Sequence, residues 1–362
     1  MHGAPQVSGS RRGRRTALAC VLLLLGFVLL TLTAPVFWLG ELAASLRWQF
    51  AVAALAAAAM CLLLRAWRPA LVASVIAVWS AWPEASLSFG DTADEAVATG
   101  APELTVLCAN VRWSNDRFAE VIELVEREDP DVVALIEVSR AGRPVYDEGL
   151  LGRYPQRVEA LNTAEWWAGT WGIVLYSKQP LVRGGALPIP GTWPRTRPAV
   201  EAVLLLDGEP LTLHVVHAPR AGSRDWNETR DHVLFALASR EPQGRSEDGP
   251  AGGPGEGPDE GPKGERLWLG DFNATSNSSG FQRALARSGL RDTRRGFGRQ
   301  PSFDAAAQLP VPLLRDLLSA LECTWIAIDQ ALVSDGLAVL ERRVVDVPGS
   351  DHRAVIVRIA RR

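Results

Sequence analysis

An apolar segment near the start of the chain limits the folds that are open to this protein. Between residues 16 and 83, 52 of 68 side chains are hydrophobic and only four are charged. The segment contains an uncharged run of 25 residues at 16–40 and shorter runs at 48–64 and 69–83. Since a helix needs about 20 apolar residues to cross the hydrocarbon core, we predict an all-α membrane anchor with three transmembrane helices. A cleaved signal peptide would not account for the two later runs.

The placement of basic residues predicts the orientation of the anchor. Residues 1–15 carry four arginines, and Arg65 and Arg68 follow the second run. Basic flanks stay in the cytoplasm, so three crossings would make a multi-pass protein of the cell membrane and export everything after residue 83. If the third run only re-enters the membrane, the remainder stays in the cytoplasm instead.

The 20 residues at 84–103 contain five acidic residues, Glu103 included, and no Lys or Arg, which suits an outer flank. Treated as a flexible coil, such a tether has an end-to-end distance of about 25 Å. The part of the chain that follows is therefore expected to work close to a lipid surface.

Residues 104–362 have the composition of a soluble domain and alternate strand-like with helix-like segments. The apolar run at 104–111 predicts a buried strand, and residues 118–128 have the i, i+3, i+4, i+7 spacing of a helix. This alternation predicts an α/β sandwich. The Pro-, Gly- and charge-rich residues 241–266 predict a disordered insertion. Further strands are predicted at 131–138, 172–177, 199–206, 211–218, 266–272, 326–334 and 353–360, and helices at 226–240 and 279–288.

Four cysteines are too few for a disulfide scaffold. Cys20 and Cys61 lie in the apolar segment, which leaves Cys108 and Cys323 as the one pair that could form. The sequence does not decide whether they pair.

Polar residues follow the ends of several predicted strands, where open α/β sheets gather their sites. Each of them alone would be an ordinary turn or cap residue. Together they offer carboxylate and amide oxygens for Mg²⁺ or Mn²⁺, and imidazoles that can transfer protons. Such a set suits the attack of water on phosphorus. In chain order the set is Asn110, Glu137, His217, Asp271, Asn273, Asp329, Asp351 and His352.

The motifs GDFNA at 270–274 and GSDHRAV at 349–355 resemble those of the endonuclease/exonuclease/phosphatase superfamily of DNase I-like nucleases and sphingomyelinase-like lipases. The resemblance spans residues 104–360. It implies a four-layer α/β sandwich, with two packed and mostly antiparallel sheets flanked by helices. It also implies a hydrolase that acts on phosphoric ester or phosphoanhydride bonds and uses Mg²⁺ or Mn²⁺.

The same resemblance implies a role for each residue of the set. Glu137 binds the metal, supported by Asn110, and Asp351 lies beside the metal. Asp271 orients the attacking water and Asn273 contacts the phosphate, while His217 either contacts the phosphate or acts as an acid. His352 pairs with Asp329 in a His–Asp dyad.

Two features bear on the substrate. After residue 103 the chain has 31 basic and 35 acidic side chains, a balance that argues against a dedicated nuclease. Several tryptophans lie in loops beside the catalytic strands, either as ordinary packing or as an aromatic rim at a lipid interface. On the second interpretation we assign Trp193 and Arg197 to substrate binding.

A multi-helix anchor joined to such a domain also resembles the actinobacterial membrane proteins associated with teicoplanin resistance, which implies a cell-envelope substrate and a role in antibiotic resistance. The leading hypothesis is a membrane-anchored, metal-dependent phosphohydrolase whose partners are membrane lipids and a lipid-linked phosphate ester or pyrophosphate. The alternatives are an extracytoplasmic DNase-like nuclease and a non-catalytic sensor of phospholipids. The sequence does not determine the oligomeric state.

Overall fold

The computed structural model describes residues 9–90, 100–161, 171–189, 199–239, 264–320, 322 and 324–362. Trp193, Arg197 and Cys323 lie outside the described residues, as do residues 241–263 of the predicted insertion. Cys108 is a free, buried thiol on the first strand of the sandwich.

Four helices form the N-terminal region: α1 (Gly9–Leu32), α2 (Trp38–Ser45), α3 (Arg47–Leu63) and α4 (Trp67–Ala85). The predicted first run is broken after Leu32, where Pro35 lies in the turn and cannot continue a helix. Helices α1, α3 and α4 pack together through small and branched side chains, which let helix backbones approach closely. Members of this cluster are Val21, Leu24, Ala54, Ala58, Ala73, Ile76 and Ala77.

Two segments of the described chain, Arg15–Leu32 and Trp67–Ser88, are long and apolar enough to cross a membrane. Helices α2 and α3 meet this condition only as a pair, with a bend of 66° between them. The third predicted run, short in the sequence, is thus part of a 22-residue candidate span.

The rest of the described chain holds fourteen strands and five further α-helices. The strands are β1 (Glu103–Asn110), β2 (Val132–Ser139), β3 (Gln156–Leu161), β4 (Trp171–Ser177), β5 (Arg183–Leu187), β6 (Ala199–Leu206), β7 (Glu209–His217), β8 (Glu265–Asp271), β9 (Arg291–Asp292), β10 (Phe303–Asp304), β11 (Trp325–Ile326), β12 (Asp329–Val333), β13 (Leu337–Asp346) and β14 (Arg353–Arg361). The helices are α5 (Phe118–Glu128), α6 (Gly142–Leu150), α7 (Arg224–Ser239), α8 (Ser279–Ser288) and α9 (Pro312–Ala320).

The strands form two six-stranded sheets with matching topology. The strand order is β13-β14-β1-β2-β4-β3 in the first sheet and β5-β6-β7-β8-β12-β9 in the second, while β10 and β11 pair separately. Each large sheet contains one parallel pair, β1 with β2 and β7 with β8, and all its other pairs are antiparallel. The prediction of mostly antiparallel sheets is confirmed.

Three apolar clusters separate the layers of the sandwich. The central one joins both sheets, with Val106 and Ile136 on one side and Leu213 and Leu269 on the other. A second cluster packs α5 and α6 on the outer face of the first sheet, and a third packs α7 and α8 on the outer face of the second. The predicted four-layer α/β sandwich is therefore confirmed.

Polar contacts join the N-terminal helices to the sandwich. Glu41 of α2 accepts hydrogen bonds from the Ser279 backbone N–H at 2.9 Å and from its hydroxyl, and lies 3.4 Å from Nη2 of the buried Arg230. Gln49 of α3 donates to the Trp325 carbonyl at 2.9 Å. These contacts fix the N-terminal helices against the sandwich at several separate points.

The first residues of the predicted tether belong to the same interface. The carboxylate of Glu84 lies 2.6 Å from Arg299, and the Leu87 carbonyl accepts a hydrogen bond from Gly296 at 2.8 Å. Glu84 is buried because this ion pair holds it against the sandwich. Residues 84–87 are thus packed rather than free, residues 88–90 are exposed, and residues 91–99 lie outside the described chain.

Gly270 allows the parallel strands β7 and β8 to approach closely. Its φ is 141°, and a Cβ atom added there would lie 2.0 Å from the Val216 carbonyl oxygen. We expect Gly270→Ala to lower the free energy of unfolding by about 3 kcal/mol or more, because it adds backbone strain to a clash with a main chain that cannot yield. Urea unfolding of the full chain in detergent measures this loss.

Gly289→Ala is the matched control. Gly289 also has a positive φ, of 67°, but an added Cβ would have no other atom within 4 Å. That variant should lose about 1 kcal/mol, from backbone strain alone. Equal losses in the two variants would contradict the close approach at Gly270.

Candidate active site

The two parallel strand pairs bring their carboxyl ends to one edge of the sandwich. Asn110 ends β1 and Glu137 lies near the end of β2, while His217 and Asp271 end β7 and β8 in direct register. Asp329 begins β12 opposite Asp271, because these two strands run antiparallel. The topology therefore gathers residues that are far apart in the sequence.

A β-bulge directs Glu137 into this edge. The register between β2 and β4 shifts at Glu137, whose φ is 61°. Positive φ is uncommon for a residue other than glycine, and bulges re-aim side chains next to active sites. The carboxylate accepts hydrogen bonds from the Trp113 backbone N–H at 3.0 Å and from the Asn110 amide at 3.3 Å.

Asp271 lies at the buried centre of the group. It accepts hydrogen bonds from Nδ2 of Asn110 at 3.0 Å and from the Asn273 backbone N–H at 2.9 Å. Burial, followed by the negative charge of Asp329, raises the pKa of Asp271, while the positive charge of His352 opposes the rise. A carboxyl group with a raised pKa is suited to accept a proton near neutral pH.

His217 faces two of these carboxylates. Its Nε2 lies 3.4 Å from Oε1 of Glu137 and 3.7 Å from Oδ2 of Asp271. The side chain is buried, so these charges act on it through little water.

His352 and Asp329 form the predicted His–Asp dyad. Nδ1 of His352 lies 2.9 Å from Oδ2 of Asp329, and both side chains are buried. Burial alone would lower the pKa of His352, but the Asp329 carboxylate, with Asp271 and Asp351, raises it to about 10. The Asp329 carboxylate therefore favours the imidazolium form of His352.

The remaining predicted residues differ in how closely they join the group. Asn273 has a φ of 48° and donates its side-chain amide to the Ala218 carbonyl at 2.9 Å, so it adjoins Asp271. The Asp351 carboxylate lies 4.0 Å from Nε of Arg112. The proposed substrate contacts Trp193 and Arg197 remain predictions, since both lie outside the described residues.

Three residues that the sequence did not single out support the site. Ser302 is buried, and its hydroxyl accepts a hydrogen bond from the Asp329 backbone N–H at 3.0 Å. The Phe303 ring lies 4.8 Å from the ring of His352. Trp113 is 52% exposed next to Glu137, where it can touch a substrate. No motif marks these residues, because only the fold brings them to the site.

The residues present fit a divalent cation. Carboxylate and amide oxygens converge at this edge, where burial and then the negative charges of Asp329 and Glu137 raise the pKa of Asp271. Ligand atoms of Asp271, Asp329 and His352 lie within 4.8 Å of one another. A protonated His352 cannot bind a metal, however, so the Glu137 side of the site suits a cation better.

The chain belongs to the endonuclease/exonuclease/phosphatase family, whose model matches residues 107–352. Enzymes of this superfamily hydrolyse phosphoester bonds as phosphodiesterases, phosphatases or nucleases, and they typically use divalent metal ions. No curated protein matches the chain in sequence.

Solved structures share the fold. The chain is similar to an endonuclease/exonuclease/phosphatase from Beutenbergia cavernae, with 19% identity, a TM-score of 0.53 and coverage of 72% of each chain. It is also similar to an endonuclease/exonuclease/phosphatase from Bacteroides vulgatus (14% identity, TM-score 0.52, 72% of this chain and 99% of that one). TDP2 of D. rerio, in complex with a single-strand DNA product, matches at 14% identity and a TM-score of 0.51, over 71% of this chain and 98% of that one.

The His352–Asp329 dyad predicts how the stability of the fold depends on pH. Since the pKa of His352 in the folded chain lies above the ordinary value of 6.5, the imidazolium stabilises the fold fully below pH 6.5, and this contribution is lost as the pH rises toward 10. In Asp329→Asn the pKa of His352 should fall sharply, because burial is then opposed by fewer charges. NMR titration of ¹³C-histidine-labelled protein in EDTA measures both values.

Asp346→Asn is the control for that titration. Asp346 pairs with Arg353 at 2.8 Å, so its removal changes a charge near His352 without removing the partner of the ring. The pKa of His352 should barely move in this variant. Titration of His352 near pH 6.5 in the unmodified chain would contradict the dyad.

Proposed function

We propose that the chain is a membrane-anchored, metal-dependent phosphohydrolase that cleaves a lipid-linked phosphate ester or pyrophosphate. One observation carries this proposal: the loops that follow the catalytic strands also contact the N-terminal helices. Arg230 lies 3.4 Å from the carbonyl of Asn273 and 3.4 Å from Glu41 of α2. A path of two contacts thus joins the candidate site to the N-terminal helices.

Contacts on the other side of the site support the same arrangement. Arg299 bonds to Glu84 and to the Trp325 carbonyl, and that carbonyl also accepts the Gln49 amide. Trp325 belongs to β11, which pairs with β10, and Phe303 of β10 packs on His352. Segments on both sides of the candidate site therefore contact the N-terminal helices, which favours a substrate held in a membrane.

The helix order favours three crossings with the catalytic domain outside the cell. Glu41, Gln49 and Glu84 all touch the sandwich, so the end of α1 and the start of α3 share one side with the end of α4. The turn between α3 and α4, with Arg65 in it and Arg68 at the start of α4, then lies on the opposite side together with the start of α1. Basic residues favour the cytoplasmic side, which makes the catalytic domain extracytoplasmic.

The chemistry follows from the arrangement of the side chains. A divalent ion held by Glu137, with Asn110 and Asp351 beside it, supplies positive charge to the phosphoryl oxygens when bound. Asp271 orients the attacking water and accepts its proton, because its raised pKa lets it act as a base. As the water oxygen bonds to phosphorus, the bond from phosphorus to the leaving oxygen breaks, and this oxygen leaves as a phosphate or, after taking up a proton from solvent, as an alcohol. The His352 imidazolium and the amide of Asn273 stabilise the charge that develops on the phosphate.

The acidic balance of the domain and its nearness to the apolar helices favour a lipid-linked substrate over DNA. A cell-envelope precursor of the kind implied by the resemblance to the teicoplanin-resistance proteins is a substrate of this class. Mg²⁺ and Mn²⁺ both suit the oxygen-rich ligand set.

The test is phosphate release by the full chain in lipid nanodiscs. The substrates are a prenyl pyrophosphate, a phospholipid and plasmid DNA, each with Mg²⁺, Mn²⁺ or EDTA. We expect hydrolysis of a lipid substrate that needs the metal and that falls at least about 100-fold in Glu137→Gln, because the variant loses a carboxylate from the cation site.

Glu201→Gln is the matched control. Glu201 lies on β6, away from the catalytic edge, and its carboxylate lies 3.1 Å from Nε2 of His214. This variant should therefore keep its activity. Full activity in EDTA, or an unaffected Glu137→Gln, would refute the metal-dependent mechanism. Cleavage of DNA alone would establish the nuclease, and lipid binding without turnover would establish the sensor.

A further inference from the structure

Helix α9 presents an apolar surface that no described part of the chain covers. Leu313 is 83% exposed, Leu317 is 54% exposed and Leu314 is 46% exposed, while none of the nine residues of the helix is buried. A cluster of exposed large hydrophobic side chains on a short helix marks an interaction surface.

The helix is amphipathic. At 100° per residue, Leu313, Leu314 and Leu317 fall on one side, whereas Arg315 and Asp316 fall on the other. Nε of Arg315 bonds to the Asp316 carboxylate at 2.9 Å, so the polar side satisfies its own charges. An apolar side opposite a charged side is the pattern of helices that lie in the plane of a membrane surface.

Trp325 connects α9 to the N-terminal helices. Its indole N–H donates to the Ser319 carbonyl at 3.1 Å, and its own carbonyl accepts the Gln49 amide at 2.9 Å. Gln49 is the third residue of α3, at the end of the apolar bundle that faces the sandwich. Since α9 is only about 14 Å long, the whole helix lies close to the level at which the bundle leaves the membrane.

Helix α9 also adjoins the candidate site. The hydroxyl of Ser319 bonds to Asp304, which also accepts the Thr324 hydroxyl at 2.8 Å. Asp304 follows Phe303, whose ring packs on His352. Helix α9 is therefore linked to the catalytic dyad through the contacts of Asp304 and Phe303.

We propose that α9 lies in the headgroup region of the bilayer that holds the anchor, with Leu313, Leu314 and Leu317 facing the acyl chains. The inference rests on the membrane anchoring in the proposed function and adds a second lipid contact beside the site. A lipid surface fits better than a protein partner, because α9 shares Trp325 with a helix that itself enters the apolar bundle. The catalytic edge is then seated on the membrane from two sides, by the anchor and by α9.

The test uses lipid quenching of a fluorophore at single cysteines. In a full chain with Cys20, Cys61, Cys108 and Cys323 replaced by alanine, Leu317→Cys is labelled with NBD. The protein is reconstituted into vesicles of phosphatidylcholine and phosphatidylglycerol, with or without phosphatidylcholine that carries a doxyl group near the headgroup. We expect the doxyl lipid to quench this label at least about twofold, because the label lies within the interface.

Two labelled positions are the controls. Asp316→Cys, on the polar side of α9, should be quenched clearly less than Leu317→Cys. Glu209→Cys lies at the start of β7, about 26 Å of strand away from the catalytic end at His217, and should not be quenched. If Leu317→Cys does not fold, Leu313→Cys provides the same measurement.

Quenching at Leu317→Cys no greater than at Glu209→Cys would overturn the proposal. The same holds if the label is protected only at protein concentrations at which the chain self-associates, since a second copy would then cover α9. The measurement needs no turnover, so it is independent of the substrate. Quenching at α9 without hydrolysis of any lipid would refute the proposed reaction and leave the position of α9 supported.

Discussion

The repulsion among buried carboxylates is the interaction that the catalytic edge must offset. Asp271 and Asp329 are buried and Glu137 is partly buried beside them, so the like charges meet with little water around them, which is costly. The fold offsets this cost with donors fixed on separate strands: the Asn110 amide reaches two of the carboxylates, and the His352 imidazolium pairs with the third. Because the position of each donor depends on strand register, the charge balance of the site depends on the packing of the two sheets. The remaining negative charge is what makes the edge attractive to a cation.

The central strands could be predicted from the sequence, but the sheet edges could not. The predicted boundaries of α5 and α8 match the structure, and the predicted β1 and β6 match within one residue. Within the two large sheets, the four strands that the sequence did not predict, β3, β5, β9 and β13, are the outer strands. A central strand is covered on both faces and appears as an unbroken apolar run, whereas an edge strand has one free side and tolerates polar or glycine-rich stretches such as RGGAL in β5.

The residue types of the site could likewise be predicted from the sequence, but the contacts that position them could not. Residue type and position after a strand identified the two histidines and the acidic group, because proton transfer and cation binding need those side chains. The backbone turn at Glu137, the hydroxyl of Ser302 and the stacking of Phe303 on His352 depend on contacts between distant segments. The docking of Glu84 on Arg299 was likewise hidden, since an acidic residue after an apolar run looks like the start of a solvated linker.

The contacts of Glu41, Gln49, Glu84 and Leu87 with the sandwich have a consequence for how a substrate is selected. Because these contacts fix the sandwich at several points, the catalytic edge cannot move freely relative to the N-terminal helices and keeps one distance from them. If the N-terminal helices lie in a bilayer, the catalytic edge is held at a fixed distance from the membrane surface. The site then reaches phosphates that lie at that distance and does not reach those that lie deeper or further out. Substrates would then arrive by lateral diffusion in two dimensions, and the search would depend on their density in the leaflet rather than on their concentration in water.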